Sequence, residues 1–293
     1  MRVFRDELRK RDFVITAECF LKPETDAESL RYQADTLRDH VDGIVLTDNQ
    51  YGQTHMSTIA AARLLLDNGI DPIVQLSCRN RNRVALLADL LGACALDVTS
   101  VVLARGNRLP GSLKPWPKPV QDMKAAELIA MADNLKWDDK LTSAASLFVG
   151  GTISMHAIKN EWVPEKIIGK VDAGARFLLA NANLNLGVLR NYMSHFVATK
   201  LTRRVSVIVS SVILTSADDA RWLRDRRPNI TIPDSVVHRL ENAADPQAEG
   251  IAICAEHLSL LEATPGVSGA NIIASTDLTM IPKVIDAARL TGT

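Results

Sequence analysis

The sequence predicts an α/β fold, a (β/α)8 barrel built as a single domain over residues 1–293, and three observations predict it. Short β-type runs alternate with helical patterns along the chain, the signature of βα units and a parallel sheet. Eight such runs in 293 residues match the strand number and size of one closed barrel. No run is followed by a glycine-rich phosphate fingerprint. That weakens the main rival, a doubly wound dinucleotide-binding sheet built on the same alternation.

The first strand, residues 14–20, sets the pattern. Ile15, Ala17 and Cys19 stay apolar or small, while Val14, Thr16 and Glu18 start apolar and end in a carboxylate. Successive side chains of a strand point to opposite faces, so this strand packs in a core and offers an ionisable group at its C-terminal tip. Asp26 is the N-cap for a helix over 28–39, and strand two covers 43–48. Ser57 opens a helix over 58–68 that Gly69 terminates. Strand three, 72–78, leads through Asn82 into an apolar-periodic helix ending at Ala95. After strand four, 100–107, the segment 109–119 carries four of the twelve prolines. It reads as an extended loop and not a linker, because the βα rhythm resumes beyond it. Strands five to eight are 147–153, 177–183, 205–214 and 270–274; helices fit 163–172, 186–199, 217–226, 234–243, 247–262 and 281–290.

Composition narrows the class of partner. With 34 basic and 34 acidic side chains the formal net charge is zero, which argues against nucleic acid or an anionic membrane as the main partner. Cys19, Cys78, Cys94 and Cys254 are scattered, with no C-x-x-C and no clustered histidine. They read as buried thiols of a reducing compartment, with no metal site among them. The charged N-terminus has no apolar signal core, and no run approaches the roughly 20 residues that span a bilayer. A cytoplasmic location is expected. Self-association into a homo-oligomer is compatible with this size, though no apolar stripe shows how.

Barrel enzymes carry their sites at the C-terminal ends of the strands, and these strand ends are polar. One phase of strand two gives Val45, Thr47 and Asn49; strand three gives Ile73, Gln75, Ser77 and Arg79. Strand four gives Val101, Leu103, Arg105 and Asn107, and strand six gives Phe177, Leu179, Asn181 and Asn183. If these phases face the lumen, Glu18, Thr47, Gln75, Arg105, Asn107 and Asn181 converge on one pocket. Glu18 is the acidic group in mostly amide, hydroxyl and arginine company. A lone buried carboxylate suits a proton donor; the alternative is a structural ion pair with Arg105. Chemistry that needs one acid in a donor-rich pocket points to an organic cofactor for the harder step.

Arg79, Arg81 and Arg83 at the opening of a helix make either an anion site or a solvated basic turn. Lys170 suits a helix C-terminus and Gly174 the residue just past it. His55, His156 and His195 lie in loops or helices with no evident partner, and read as surface or helix-face histidines.

The landmarks Ala17-Glu18-Cys19-Phe20-Leu21-Lys22-Pro23, Thr47-Asp48-Asn49-Gln50, Leu76-Ser77-Cys78-Arg79-Asn80-Arg81-Asn82-Arg83 and Leu103-Ala104-Arg105-Gly106-Asn107 occur in that order. With Lys170-Val171-Asp172-Ala173-Gly174-Ala175 and Pro265-Gly266-Val267-Ser268-Gly269, they resemble the methylenetetrahydrofolate reductase family, particularly its short bacterial form without a regulatory domain. The resemblance implies a TIM barrel with FAD at its mouth, reduced by NADH or NADPH. Hydride then passes to the methylene carbon of 5,10-methylenetetrahydrofolate, a tetrahydrofolate substrate. It gives Glu18 the role of acid in opening the imidazolidine ring, with Asn107 beside it. Thr47, Gln75, Arg79, Arg105, Gly106, Asn107 and Lys170 are implied to bind the cofactor; Glu18, Asn107 and Asn181 bind substrate.

This chain departs from the family pattern around the cofactor. Asn107 stands where an aspartate is usual, Asn181 replaces a glutamine, and Gly150-Gly151-Thr152-Ile153-Ser154-Met155 replaces a more characteristic loop. The departures allow a variant in which NADH reduces the folate directly, without flavin. They also motivate a reading outside catalysis: a folate-binding subunit serving a methyltransferase, demethylase or electron-transfer partner.

Overall fold

Eight short runs rich in Val, Ile and Leu, each bounded by polar or turn residues, form eight parallel strands. The computed structural model describes residues 2–19, 21–107, 109, 114–137, 147–159, 162–227, 229–274 and 277–290. The strands are β1 (Val14–Cys19), β2 (Gly43–Leu46), β3 (Pro72–Ser77), β4 (Ser100–Ala104), β5 (Phe148–Ile153), β6 (Phe177–Ala180), β7 (Ser206–Ile213) and β8 (Gly269–Ala274). They pair in chain order, and β8 returns to β1 with Val14 opposite Gly269 and Glu18 opposite Ile273. The sheet closes into the predicted (β/α)8 TIM barrel.

The helices are α1 (Phe4–Lys10), α2 (Ala27–Leu37), α3 (Thr58–Asp67), α4 (Arg83–Ala95), α5 (Ala125–Asn134), α6 (Glu165–Asp172), α7 (Leu186–Ala198), α8 (Ala217–Arg226), α9 (Asp234–Asn242), α10 (Pro246–Glu262) and α11 (Met280–Ala288). The caps act as the sequence implies. Asp26 accepts from the Ser29 amide in a reciprocal capping box, and the Ser57 and Asn82 side chains accept from Ile59 and Ala85. At the end of α6, Ala175 N–H reaches the Lys170 carbonyl and Gly174 N–H the Val171 carbonyl, with Gly174 at φ +113°. That paired pattern is a Schellman stop, and it needs the left-handed residue that glycine supplies. Among the described residues all four cysteines are free and buried, and no helix is long and apolar enough to cross a membrane.

Two helices went unpredicted. In α5 the signal is Leu128, Ile129 and Ala132, buried on one face after the proline-rich loop, whose residues 110–113 lie outside those described, as does Phe20. In α1 it is only Phe4 and Leu8, one helical turn apart. This short helix closes the N-terminal end of the barrel. Phe4 is fully buried, edge-on to Phe177 at 5.2 Å between ring centroids, and Phe177 stacks on Phe148 at 5.2 Å. These rings fill the lower lumen together with Val14, Val45, Ile73, Val102 and Ile208. Gly150 makes the stack possible: a Cβ there would lie 2.4 Å from Phe177 Cζ. Above the aromatics comes a polar layer, where Thr16 Oγ1 donates to Asn271 Oδ1 (3.0 Å) and Asn271 Nδ2 to Ser210 Oγ (3.3 Å).

The lumen corrects one predicted phase. On β4 the inward residue is Val102, whereas Val101 and Leu103 pack in the layer between strands and helices. Both phases of Ser100–Ala104 are buried, so no alternation marked the inner one. β4 and β6 also stop at Ala104 and Ala180, before the polar residues assigned to them. Arg105, Asn107 and Asn181 are therefore rim residues.

The plug rests on Asp71, just before β3. Its Oδ2 accepts the Phe4 amide (2.9 Å), and Thr99 Oγ1 donates to both carboxylate oxygens (3.1 Å each). Burial pushes this carboxyl up to about 6 despite those hydrogen bonds. The folded chain thus holds a proton that the unfolded chain has released, so the favourable protonated state is lost as pH rises through 6. Asp71→Asn keeps an acceptor for Phe4 and removes the titration. Between pH 4.5 and 7 the urea-unfolding free energy of the variant should gain roughly 2 kcal/mol on the wild type; a constant difference would refute the assignment.

Candidate active site

The C-terminal mouth of the barrel opens into a cavity of about 1020 Å³. Its rim is tied together by two buried charged side chains. Asp48, directly after β2, is 4% exposed, and its Oδ2 accepts from Ser77 N (2.8 Å), Ser77 Oγ (2.7 Å) and Arg81 Nη1 (2.8 Å). Asn49 Nδ2 donates to Oδ1 at 2.8 Å. Burial alone would raise this carboxyl, but the hydrogen bond and charge of Arg81, with Ser77 and Asn49, hold it below the usual range. Arg79, 3% exposed, donates Nη2 to the Asn49 carbonyl (2.9 Å) and Nη1 to the Asn107 carbonyl (3.2 Å). It thereby pins the loops after β2 and β4 to the end of β3. Gly106, at φ +84°, lets the β4 loop pass over it, since a Cβ there would lie 2.6 Å from Arg79 Cβ.

The arginine run is tied to partners within the protein. Arg79 gives three of its N–H groups to oxygens of Asn49, Asn80 and Asn107, Arg81 pairs with Asp48 and Asp89 (2.7 Å), and the exposed Arg83 pairs with Asp122 (3.0 Å). Thr47 does not line the cavity: it is 1% exposed, with its hydroxyl directed to the Cys19 carbonyl at 3.5 Å.

Glu18 lies on the floor, at the end of the inward face of β1. It is 6% exposed and lines the cavity. It is not a lone carboxylate among neutral groups, and its ion-pair partner is not Arg105. Arg227, after α8, donates Nη2 to Glu18 Oε1 at 2.8 Å, and Gln50 Nε2 donates to the same oxygen at 2.6 Å. The Arg227 Nη2 group also donates to Gln50 Oε1, closing a three-membered ring of hydrogen bonds. Cys19, on the outer face of β1, has its thiol pushed up to about 12 by burial and by the Glu18 charge, which removes it as a nucleophile.

Gln75, Arg105, Gly106, Asn107, Lys170 and Asn181 all border the cavity. Asn181 Nδ2 donates to Ser154 Oγ at 3.1 Å, and Lys170 Nζ donates to the Thr152 carbonyl. Burial, and then Lys166, lower the Lys170 ammonium's pKa. Asn183 instead turns into the structure and accepts the Asn185 amide at 2.9 Å.

Reasoning from sequence missed an aromatic wall. His156 meets Trp162 and Tyr192 edge-on at 5.6 and 5.7 Å, and Trp162 lies 5.3 Å from His195. These residues come from the β5–α6 loop and from α7, and no local motif joins them. His55 also has partners: its Nε2 accepts the Asn49 amide (2.8 Å), and its Nδ1 lies 2.6 Å from the Met56 carbonyl. That arrangement assigns the neutral Nδ1–H tautomer.

The family model for methylenetetrahydrofolate reductase matches residues 3–286. No curated protein matches the chain in sequence. Among solved structures, an uncharacterized protein from Clostridium thermocellum that binds two copies of 5-methyl-5,6,7,8-tetrahydrofolic acid superposes with a TM-score of 0.68 at 15% identity, covering 98% of both chains. EDTA monooxygenase from Chelativorans sp. BNC1 gives 0.55 at 13% identity, covering 95% of this chain and 92% of that one. DmoA from Hyphomicrobium sulfonivorans gives 0.54 at 11%, covering 94% and 86%. At these identities the structural likeness establishes the fold.

Asp48 carries the rim, so Asp48→Ala should cost about 3 kcal/mol by stranding the Ser77 amide and removing one of the two partners of Arg81. Urea unfolding reads this directly, and a loss below about 1 kcal/mol would contradict it.

Proposed function

The chain belongs to the methylenetetrahydrofolate reductase family, and from that premise we propose that it interconverts 5,10-methylenetetrahydrofolate and 5-methyltetrahydrofolate by hydride transfer, with Glu18 as the general acid. One observation carries the reading: a nearly buried carboxylate at the end of the inward face of β1 opens onto a large cavity edged by amides. Those amides suit a pterin, whose ring edge alternates donors and acceptors. Asn107 and Asn181 each offer one donor and one acceptor group to it, and Gln75 does the same from β3.

The reaction divides simply among these groups. Glu18 gives its proton to N10 as the bond from N10 to the methylene carbon breaks, leaving an iminium at N5. Hydride adds to that carbon and forms the methyl group. Glu18 is left as a carboxylate and takes a proton from solvent before the next turnover.

A resident FAD would be held at this mouth by Gln75, Arg105, Gly106, Asn107 and Lys170, and when bound it would relay hydride from NAD(P)H to the folate. A dinucleotide needs cations for its pyrophosphate; Arg79, Arg81, Arg83 and Arg227 are engaged within the protein, which leaves Arg105 and Lys166 on the border of the cavity to meet it. Lys170 is turned to the Thr152 carbonyl. NADH or NADPH is read as the reductant, passing hydride to the flavin or, without one, directly to the folate. The second reading, a folate-binding subunit without reductase activity, draws on the Clostridium thermocellum neighbour, which binds 5-methyltetrahydrofolate.

Two measurements test this. Glu18→Gln should lower the rate of NAD(P)H oxidation with methylenetetrahydrofolate by about 10²-fold or more; near-wild-type turnover would end the general-acid assignment. The visible spectrum of the purified protein, taken before and after incubation with FAD and desalting, separates the flavin route from the direct one. Retained flavin bands would assign the flavin route and a colourless protein the direct one, and a wild type that binds folate without turnover would favour the binding subunit.

A further inference from the structure

Resting on that reading, we propose that Arg227 and Gln50 are positioning residues that confine the transferable proton to one oxygen of Glu18. The geometry divides the carboxyl group. Oε1 receives two hydrogen bonds, from Gln50 Nε2 at 2.6 Å and from Arg227 Nη2 at 2.8 Å. A carboxylate oxygen has two lone-pair directions, and both are taken here. Oε2 accepts no hydrogen bond from any described residue, yet it is not sealed from solvent, and Glu18 lines the cavity. A proton on Glu18 can therefore sit only on Oε2, the oxygen left facing substrate.

The third bond of the ring gives the arrangement its stiffness. Arg227 Nη2 bridges Glu18 Oε1 and Gln50 Oε1, so Gln50 is held in the amide orientation that points its own NH₂ group at Glu18. When the proton leaves Oε2, negative charge appears on a group already met by a guanidinium and an amide donor. Dipoles and charges fixed before the reaction stabilise that charge without reorganising. The partners come from different parts of the chain: Gln50 from the β2–α3 loop and Arg227 from the segment after α8, which Thr231 fastens to Ala182 and Asn183 beyond β6. Neither needs to touch folate to act.

The test is the kinetics of Arg227→Ala, Arg227→Lys and Gln50→Leu beside Glu18→Gln. Arg227→Ala should lower kcat at least tenfold while KM for methylenetetrahydrofolate stays within twofold, because ground-state binding is left alone. Added guanidinium chloride, at concentrations that leave the wild type unaffected, should restore part of the lost kcat, and Arg227→Lys should fall between the two. Gln50→Leu should lower kcat in the same KM-independent way, and it carries the test should Arg227→Ala fail to fold. Unchanged kcat in both variants, or a loss seen only in KM, would overturn the assignment. If Glu18→Gln abolishes turnover while these variants do not, only this assignment falls; if Glu18→Gln remains active, the general-acid reading falls with it.

Discussion

The mouth of this barrel depends on one buried carboxylate. Asp48 leaves water at the end of β2, and such a group is tolerated only when its oxygens are met by donors. Ser77 meets it twice, from backbone and hydroxyl, Arg81 meets it with charge, and Asn49 takes the other oxygen. Those partners belong to the ends of two adjacent strands and the start of the following helix. Arg79 extends the tie by reaching the carbonyls of Asn49 and Asn107. The loops after β2, β3 and β4 are thus one hydrogen-bonded collar. The arginines that would otherwise advertise an anion site are its fasteners.

Within that collar the lumen is layered. Aromatic rings fill the lower end, a Thr16–Asn271–Ser210 layer crosses the middle, and Glu18 stands above it. The layering follows from strand geometry. Inward residues on β1 recur every second position, so Val14, Thr16 and Glu18 climb from plug to polar layer to cavity. The progression from apolar to ionisable from Val14 to Glu18 in sequence is the same progression along the barrel axis.

That explains how much could be read from the chain alone. The fold was legible because every strand is an apolar run and several helices carry their own caps. The floor of the site was legible in Glu18, since its phase begins with Val14 and Thr16. The β4 phase was not, because Ser100 to Ala104 are buried on both faces and alternation vanishes where helices cover the outside. The partner of Glu18 was hidden for a different reason: Arg227 lies 209 residues away, and only barrel closure brings it near. The flavin contacts implied for Thr47 and Arg79 came from matching motifs. The motif fixes where these residues stand, but their hydrogen-bond partners decide whether they still have donors to offer.

The aromatic seal at the N-terminal end has a consequence for traffic. Phe4, Phe148 and Phe177 close the lumen beneath the polar layer, so the cavity is a blind well and not a channel. In the proposed reaction, reductant and folate would share that single doorway. Where both are held at once, the one seated deeper would have to arrive before the other and depart after it. Order of arrival is then imposed by architecture, through a phenylalanine in the first helix that touches neither reactant.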